Sequence, residues 1–200
     1  MSGQPGHLIL AQLASVGRSP AEQALLLATL ATLHAQHGLV EKIEAEPEVA
    51  GIVAQFIERL QRSFASVEDV RGLRVLDMPC GSNNSHSPIT GRRTAQFEPW
   101  MCRLLLELGA EPVGIDFGDL HGERFEHVGL DLGAPGALDR FPEASFDAIH
   151  ESRLFGSPEF TEAYGPGESD RIRREIARQE VRMLKPGGIL IHSDIDPRLR

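Results

Sequence analysis

Cysteine is nearly missing from this chain of 200 residues: only Cys80 and Cys102 are present, too few for the disulfide framework that staples small secreted domains. Positive charge is also short. Twenty Lys and Arg against 29 Asp and Glu leave a formal charge of −9, which excludes the broad basic face that a nucleic-acid-binding domain needs. Long hydrophobic runs are absent: ALLLATLATL at 24–33 carries two threonines and falls well short of the roughly 20 residues that span a bilayer as a helix. The opening MSGQPGHL lacks the basic stretch of a secretory leader. Repeats and low-complexity tracts are missing as well. These absences lead to the expectation of a soluble, cytoplasmic protein with no nucleic-acid partner and no membrane attachment. The length suits one α/β domain with an appended helical segment.

Two textures divide the chain. Residues 1–70 carry apolar residues at helical spacing, expected to pack on or cap a site in the remainder. AEQALLLATLATLHAQHG starts after Ser19-Pro20, a cap followed by a first-turn proline, and stops at Gly38. VAGIVAQFIERLQRSFA repeats the pattern at 49–65. From Gly72 onward short β-type runs take over: LRVLD at 73–77, EPVGID at 111–116, EHVGLD at 126–131, FDAIHE at 146–151 and GGILIHSD at 187–194. WMCRLLLELGA (100–110) and SDRIRREIARQEVRMLKPGG (169–188) read as helices between them. Strands alternating with helices predict a Rossmann-like, doubly wound, mostly parallel sheet of about five strands over 71–200. Ligands of such sheets lie beyond the carboxyl ends of the strands, near the switch in strand order.

The acidic residues follow that geometry. Asp77, Asp116, Asp131 and Glu151 each close an apolar run, so four carboxylates are expected along one sheet edge. After Asp77 comes MPCGSNNS, whose small residues would let a ligand approach backbone N–H groups closely. A dinucleotide site would favour G-x-G-x-x-G, with a helix N-terminus holding the pyrophosphate. CGSNNS is a different pattern, so the acids point to a ligand rich in hydroxyls and amines: a nucleoside. The scattered histidines and acids, including those of HSD and HES, do not form a metal cluster, and no metal is expected.

In these motifs the stretch from about Gly72 to Asp194 resembles the class I S-adenosylmethionine-dependent methyltransferases. VLDMPCGS resembles the family's first motif, and the resemblance implies that Asp77, Pro79, Gly81, Ser82 and Asn83 hold the aminocarboxypropyl tail of the cofactor. VGIDFG resembles the second, implying Asp116 on the ribose hydroxyls and Phe117 against the adenine. GLDL corresponds to the third, with Asp131 accepting from the adenine amine beside Leu132. FDAIHESRLF would bring Glu151 and Ser152 to face the transferred group, and VRMLKPGGILI is similar to the helix-turn-strand signature before strand five. Departures are visible. A single Gly81 replaces G-x-G, with Asn83 left to tolerate a left-handed turn. Residues 84–99 look inserted, 117–125 are too few for a crossover helix, and the two further strands usual in the family do not follow strand five.

Methyl transfer from a sulfonium is an in-line displacement that depends on positioning and desolvation, with a general base needed only for a protonated acceptor. Glu151 and His192 are the candidate bases, with Asp194 and His86 also placed by location. Cys80 reads as a small loop residue and not as a nucleophile. In the 84–100 segment Arg92 and Arg93 are placed to pair with a carboxylate, and Phe97 and Trp100 to pack over a cation as a lid. Three readings stay open. The first is a small-molecule methyltransferase. The second is an enzyme of the same fold in which the amine of S-adenosylmethionine attacks its own γ-carbon, giving azetidine-2-carboxylate and methylthioadenosine. The third is a non-catalytic nucleoside-binding or interaction protein. A nicotinamide-dependent oxidoreductase is a weaker fourth, given the phosphate loop. An exposed fifth-strand edge leads to the expectation of a homodimer.

Overall fold

The computed structural model describes residues 4–87, 91–151, 155 and 158–192. Four helices come first: α1 (Gln4–Ala14), α2 (Pro20–His37), α3 (Leu39–Ala45) and α4 (Glu48–Ser63), followed by a 3₁₀ turn at Val67–Val70. Strand β1 (Arg74–Met78) leads to α5 (Trp100–Glu107), β2 (Glu111–Asp116) and β3 (Glu126–Gly129). A second 3₁₀ turn at Ala137–Arg140 precedes β4 (Phe146–Glu151), α6 (Pro158–Met183) and β5 (Leu184–His192). The five strands form one sheet in the order β3-β2-β1-β4-β5, with every pair parallel. The fold is Rossmann-like α/β, and the strand order reverses between β1 and β4.

Helix α2 obeys its sequence signals closely. The Ser19 hydroxyl accepts from Glu22 N at 3.1 Å, Pro20 opens the first turn, and Gly38 at φ 64° closes the helix by donating to His34 O. Leu26, Leu30 and Leu33, spaced four and three apart, are fully buried. Each contributes roughly 1.5–3 kcal/mol by leaving water.

Alternation along the strands sends side chains to two different cores. Val75, Ala148 and Ile191 pack against α1 to α5, together with Leu30, Ile57, Trp100 and Leu104. Leu76, Met78, Val113, Ile115 and Ile149 pack against α6 and the second 3₁₀ turn, with Ile172, Ile176 and Met183. Both faces of the parallel sheet are therefore covered, and the N-terminal helices form the cover of one of them.

The 117–125 connection has turns and no helix, as its length dictates. Two elements differ from the sequence reading. The last helix starts at Pro158, earlier than expected, and its backbone leaves helical geometry at Gly165 (φ 68°, ψ 167°). Strand β5 starts at Leu184, ahead of the expected 187, because KPGG is absorbed as an irregularity: Leu184 sits opposite Phe146 and Ile189 opposite Ala148. Lys185 Nζ contacts both carboxylate oxygens of Asp147 at 2.9 Å across it.

A buried polar chain fastens the helical layer to the sheet. Asp77 Oδ1 on β1 meets His150 Nδ1 on β4 at 2.7 Å, and His150 Nε2 meets Arg59 Nη1 of α4 at 3.1 Å. A guanidinium only donates, so Nε2 accepts and the imidazole N–H points at Asp77. Phe56 lies edge-on to His150 and under the Arg59 guanidinium. Replacing His150 by leucine removes the bridge between a buried carboxylate and a buried guanidinium. We expect His150→Leu to cost about 3–5 kcal/mol, read from urea unfolding followed by circular dichroism; a loss below about 1 kcal/mol would show that the bridge is dispensable.

Candidate functional site

The switch in strand order places the candidate site at the carboxyl ends of β1 and β4, with the end of β2 beside them. The loop after β1 begins with a cis Met78-Pro79 peptide. Its amides from Cys80 to Asn83 are engaged within the protein. Cys80 N donates to Ile115 O, Gly81 N to Asp116 Oδ2, Ser82 N to Phe97 O and Asn83 N to Asp119 O, at 2.7–3.1 Å. The loop is thus held by carbonyls and a carboxylate, where the sequence had led to an expectation of amides open to a ligand. Gly81 is required by geometry: at φ 87°, a Cβ there would lie 2.2 Å from Phe97 O. Asn83 is absent from the left-handed residues, so Gly81 alone supplies the unusual backbone of the turn.

The side chain of Asn83 enters a compact ion cluster. Arg103 of α5 donates to Asn83 Oδ1 at 2.7 Å, to Glu98 at 2.6 Å and to Glu123 at 2.7 Å, and Asn83 Nδ2 donates to Glu123 at 3.0 Å. Lys42 of α3 pairs with Glu98 as well. Burial alone would raise Glu123, but the Arg103 hydrogen bond and charge outweigh it and hold the carboxyl below the usual range. Nearby His37 is lowered to about 4, first by burial and then by the Arg103 charge.

That cluster corrects the reading of Trp100. The ring is buried, its indole N–H donates to Ala95 O at 2.7 Å, and the cations over its face are Lys42 at 5.2 Å and Arg103 at 4.7 Å. It anchors the inserted segment from below and does not form a surface for a ligand. Phe97 is half-buried and contributes its carbonyl to the loop. The described part of 84–99 is a small hairpin, with His86 bridged to Arg93, and it is pinned to the helical layer by Glu46, which accepts from Thr94 Oγ1 and Ala95 N. Arg93 donates to Asn83 O at 2.6 Å and Arg92 is exposed, so both arginines lie on the outer side of the hairpin.

The four strand-end acids do not form a row. Asp77 is only 1% exposed and serves the His150 bridge, with the Cys102 thiol donating to its other oxygen at 3.4 Å. Its position one residue before the end of β1, on the face toward α4 and α5, puts it under the loop. Asp116 is at the edge. Gly118 N donates to its Oδ1 at 2.8 Å and Gly81 N to its Oδ2 at 3.1 Å, and burial raises its pKa despite those bonds. Phe117, the next residue, is 84% exposed. Asp131 follows β3 and accepts from Gly133 N and from the Tyr164 hydroxyl, with Leu132 buried beside it. Glu151 closes β4 half-buried, opposite His192 in the β5 register. Ser152, Asp194 and the side chain of His192 lie outside the described residues.

Cys80 and Cys102 are both buried, and their sulfurs flank the space above Gly114 at 2.8 and 3.2 Å from where its Cβ would be. Burial pushes the Cys102 thiol well up. A hydrogen bond with Cys102 favours the Cys80 thiolate, yet burial and the charges of Asp77 and Asp116 outweigh it, so this thiol too is raised. Neither is an activated nucleophile.

Sequence reasoning missed Arg59, His150, Arg103 and Tyr164, which carry no motif of their own. It also missed Glu180 of α6, a buried carboxyl whose Oε1 has no hydrogen-bond partner among the described residues. Among those residues no group of three His, Cys, Asp or Glu is arranged to hold a metal ion, and no helix is long and apolar enough to cross a membrane. Comparison with protein-family models finds no matching family, and comparison with curated proteins finds no match.

Burial, with the Glu151 charge adding to it, pushes Glu180 up from 4.5 to about 7. The folded state then holds a proton that the unfolded chain releases, so this residue lowers stability progressively as pH rises from about 4.5 to 7. Glu180→Gln is expected to be more stable than the parent above pH 7, by up to about 3 kcal/mol, and equal to it near pH 4. Urea unfolding across that range checks the sign; equal stability of the two proteins at pH 8 would contradict it.

Proposed function

We propose that the chain binds S-adenosylmethionine at the carboxyl edge of β1, β2 and β4 and transfers its methyl group to a small molecule. The observation that carries the reading is the pairing of Asp116 with Phe117. A half-buried carboxylate ends β2, and the next side chain leaves an aromatic face open to solvent. A carboxylate offers about four acceptor positions, and two backbone N–H groups occupy part of that capacity. The remainder suits the paired hydroxyls of a ribose, and the open ring suits a stacked base. The acidic sheet edge and a first loop whose amides are already bonded suit a cationic nucleoside better than a pyrophosphate.

In this reading the acceptor's lone pair attacks the methyl carbon, the carbon–sulfur bond breaks, and its electron pair stays on sulfur as S-adenosylhomocysteine. Any proton on the acceptor passes to a base, and Glu151, at the end of β4, is the group we assign to that role. Orientation and exclusion of water carry most of the acceleration.

Two measurements test the proposal. Asp116→Ala should weaken S-adenosylmethionine binding by about 1.5–3 kcal/mol for each ribose hydrogen bond lost, in calorimetry on the folded variant; unchanged affinity removes Asp116 from the site. Incubation with S-adenosylmethionine alone, followed by product analysis, separates the chemistries. Turnover that waits for an added acceptor and yields S-adenosylhomocysteine fits methyl transfer. Methylthioadenosine with azetidine-2-carboxylate, formed without an acceptor, replaces it by the intramolecular cyclisation.

A further inference from the structure

The Tyr164 hydroxyl lies 2.5 and 2.6 Å from the two carboxylate oxygens of Asp131, a donor placed across an acceptor pair at the rim of the candidate site. Asp131 Oδ1 also accepts from Gly133 N at 2.8 Å, so the carboxylate is fixed by its own loop before the tyrosine arrives. The ring lies flat on that loop. A Cβ at Gly133 would come within 2.2 Å of Tyr164 Cζ, so glycine is what permits the approach.

Tyr164 is the last residue before the break in α6. Gly165 leaves helical geometry at φ 68° and ψ 167°, and the helix resumes after it with the Ser169 hydroxyl bonded back to Gly165 O at 2.7 Å. The stretch before the break, 158–164, is docked by Phe160, which is buried in the core on the α6 side of the sheet. The Phe160 and Tyr164 rings are tilted against each other at 5.0 Å, Phe160 meets Phe155 edge-on at 5.4 Å, and the Arg173 guanidinium caps Phe155 at 4.7 Å. The tyrosine's contact with Asp131 is solvent-exposed, so breaking it strands no polar group in the interior.

We propose that Tyr164 is a specificity gate: its hydroxyl occupies the acceptor pair of Asp131 that the exocyclic amine of a purine nucleoside takes on binding, and the Tyr164 side chain swings off the carboxylate to release it. The proposal rests on the nucleoside reading of the site. A ligand without a donor at that position leaves Asp131 better served by the tyrosine, so the gate selects for an amine. The hydroxyl is a tightly held competitor, its pKa pushed up to about 12, first by the Asp131 hydrogen bond.

Tyr164→Phe removes the competitor and keeps the ring, and the site is exposed enough for the variant to fold. It should bind S-adenosylhomocysteine about tenfold more tightly than the parent in calorimetry, the worth of one hydrogen bond to a charged group. The chain has a single tyrosine, so its ring resonances in labelled protein should shift when S-adenosylhomocysteine saturates the site. Equal or weaker binding by the variant, or tyrosine signals unmoved at saturation, overturns the gate and leaves the nucleoside site standing. Absence of binding by both proteins removes the nucleoside site, and the gate with it.

Discussion

A carboxylate in the middle of a parallel sheet has to be balanced where it stands, and the architecture is arranged around that need. Asp77 lies on the central strand, away from water, and an unpaired charge there costs several kcal/mol. Its partners come from β4, through His150, and from α4, through Arg59. Because the imidazole bridges two opposite charges, each ring nitrogen has one fixed role, and the ring's plane fixes how α4 sits over the sheet. The helical layer, which begins the chain, is thereby registered against the switch point of a sheet that follows it by many residues. Hydrophobic contact holds these layers together, but it is indifferent to small sliding motions. The polar chain is not.

The first loop depends on a second charge arrangement of the same style. Arg103 gathers Asn83, Glu98 and Glu123 from three separate stretches, and both it and Lys42 lie over the Trp100 ring. A planar guanidinium carries five donors in a rigid fork and serves the three acceptors in fixed directions, where a lysine offers a rotatable point charge. The loop after β1 is therefore rigid through its neighbours: α3, α5 and the connection after β2 each hold a part of it. A helix after β2 would have moved Glu123 elsewhere, and the short connection is what delivers it.

The layer order and the strands were legible because they rest on local signals: Ser19-Pro20 and Gly38 around α2, the β-branched runs of β1, β2 and β4, and the glycines that stop the helices. The edge position of Asp116 was legible for the same reason, being the last residue of an apolar run. Asp77 was misplaced by the same rule, since its run continues one residue further, through Met78, and the shift puts its carboxyl under the loop. Periodicity could not show that His150, an ordinary inward position on a buried strand, would find Asp77 on one side and Arg59 on the other. Trp100 read as a lid because an aromatic at the end of a polar insertion resembles an exposed platform. Its burial comes from the helical layer and Lys42 of α3, which are distant in sequence. Tyr164 had no signal, because its partner lies across a connection whose path only tertiary packing decides.

The chain contains a single tryptophan, and the fold has put it at the junction of the first loop, the inserted hairpin and the helical layer. Its indole is hydrogen-bonded to Ala95 and faced by two cations, Lys42 and Arg103. Intrinsic fluorescence of the unlabelled protein is therefore a local gauge as well as a global one. Loosening of the hairpin or of the Arg103 cluster changes the electric field on that indole before the sheet has opened. Comparing emission with backbone dichroism would show whether the binding edge melts with the body of the protein or ahead of it.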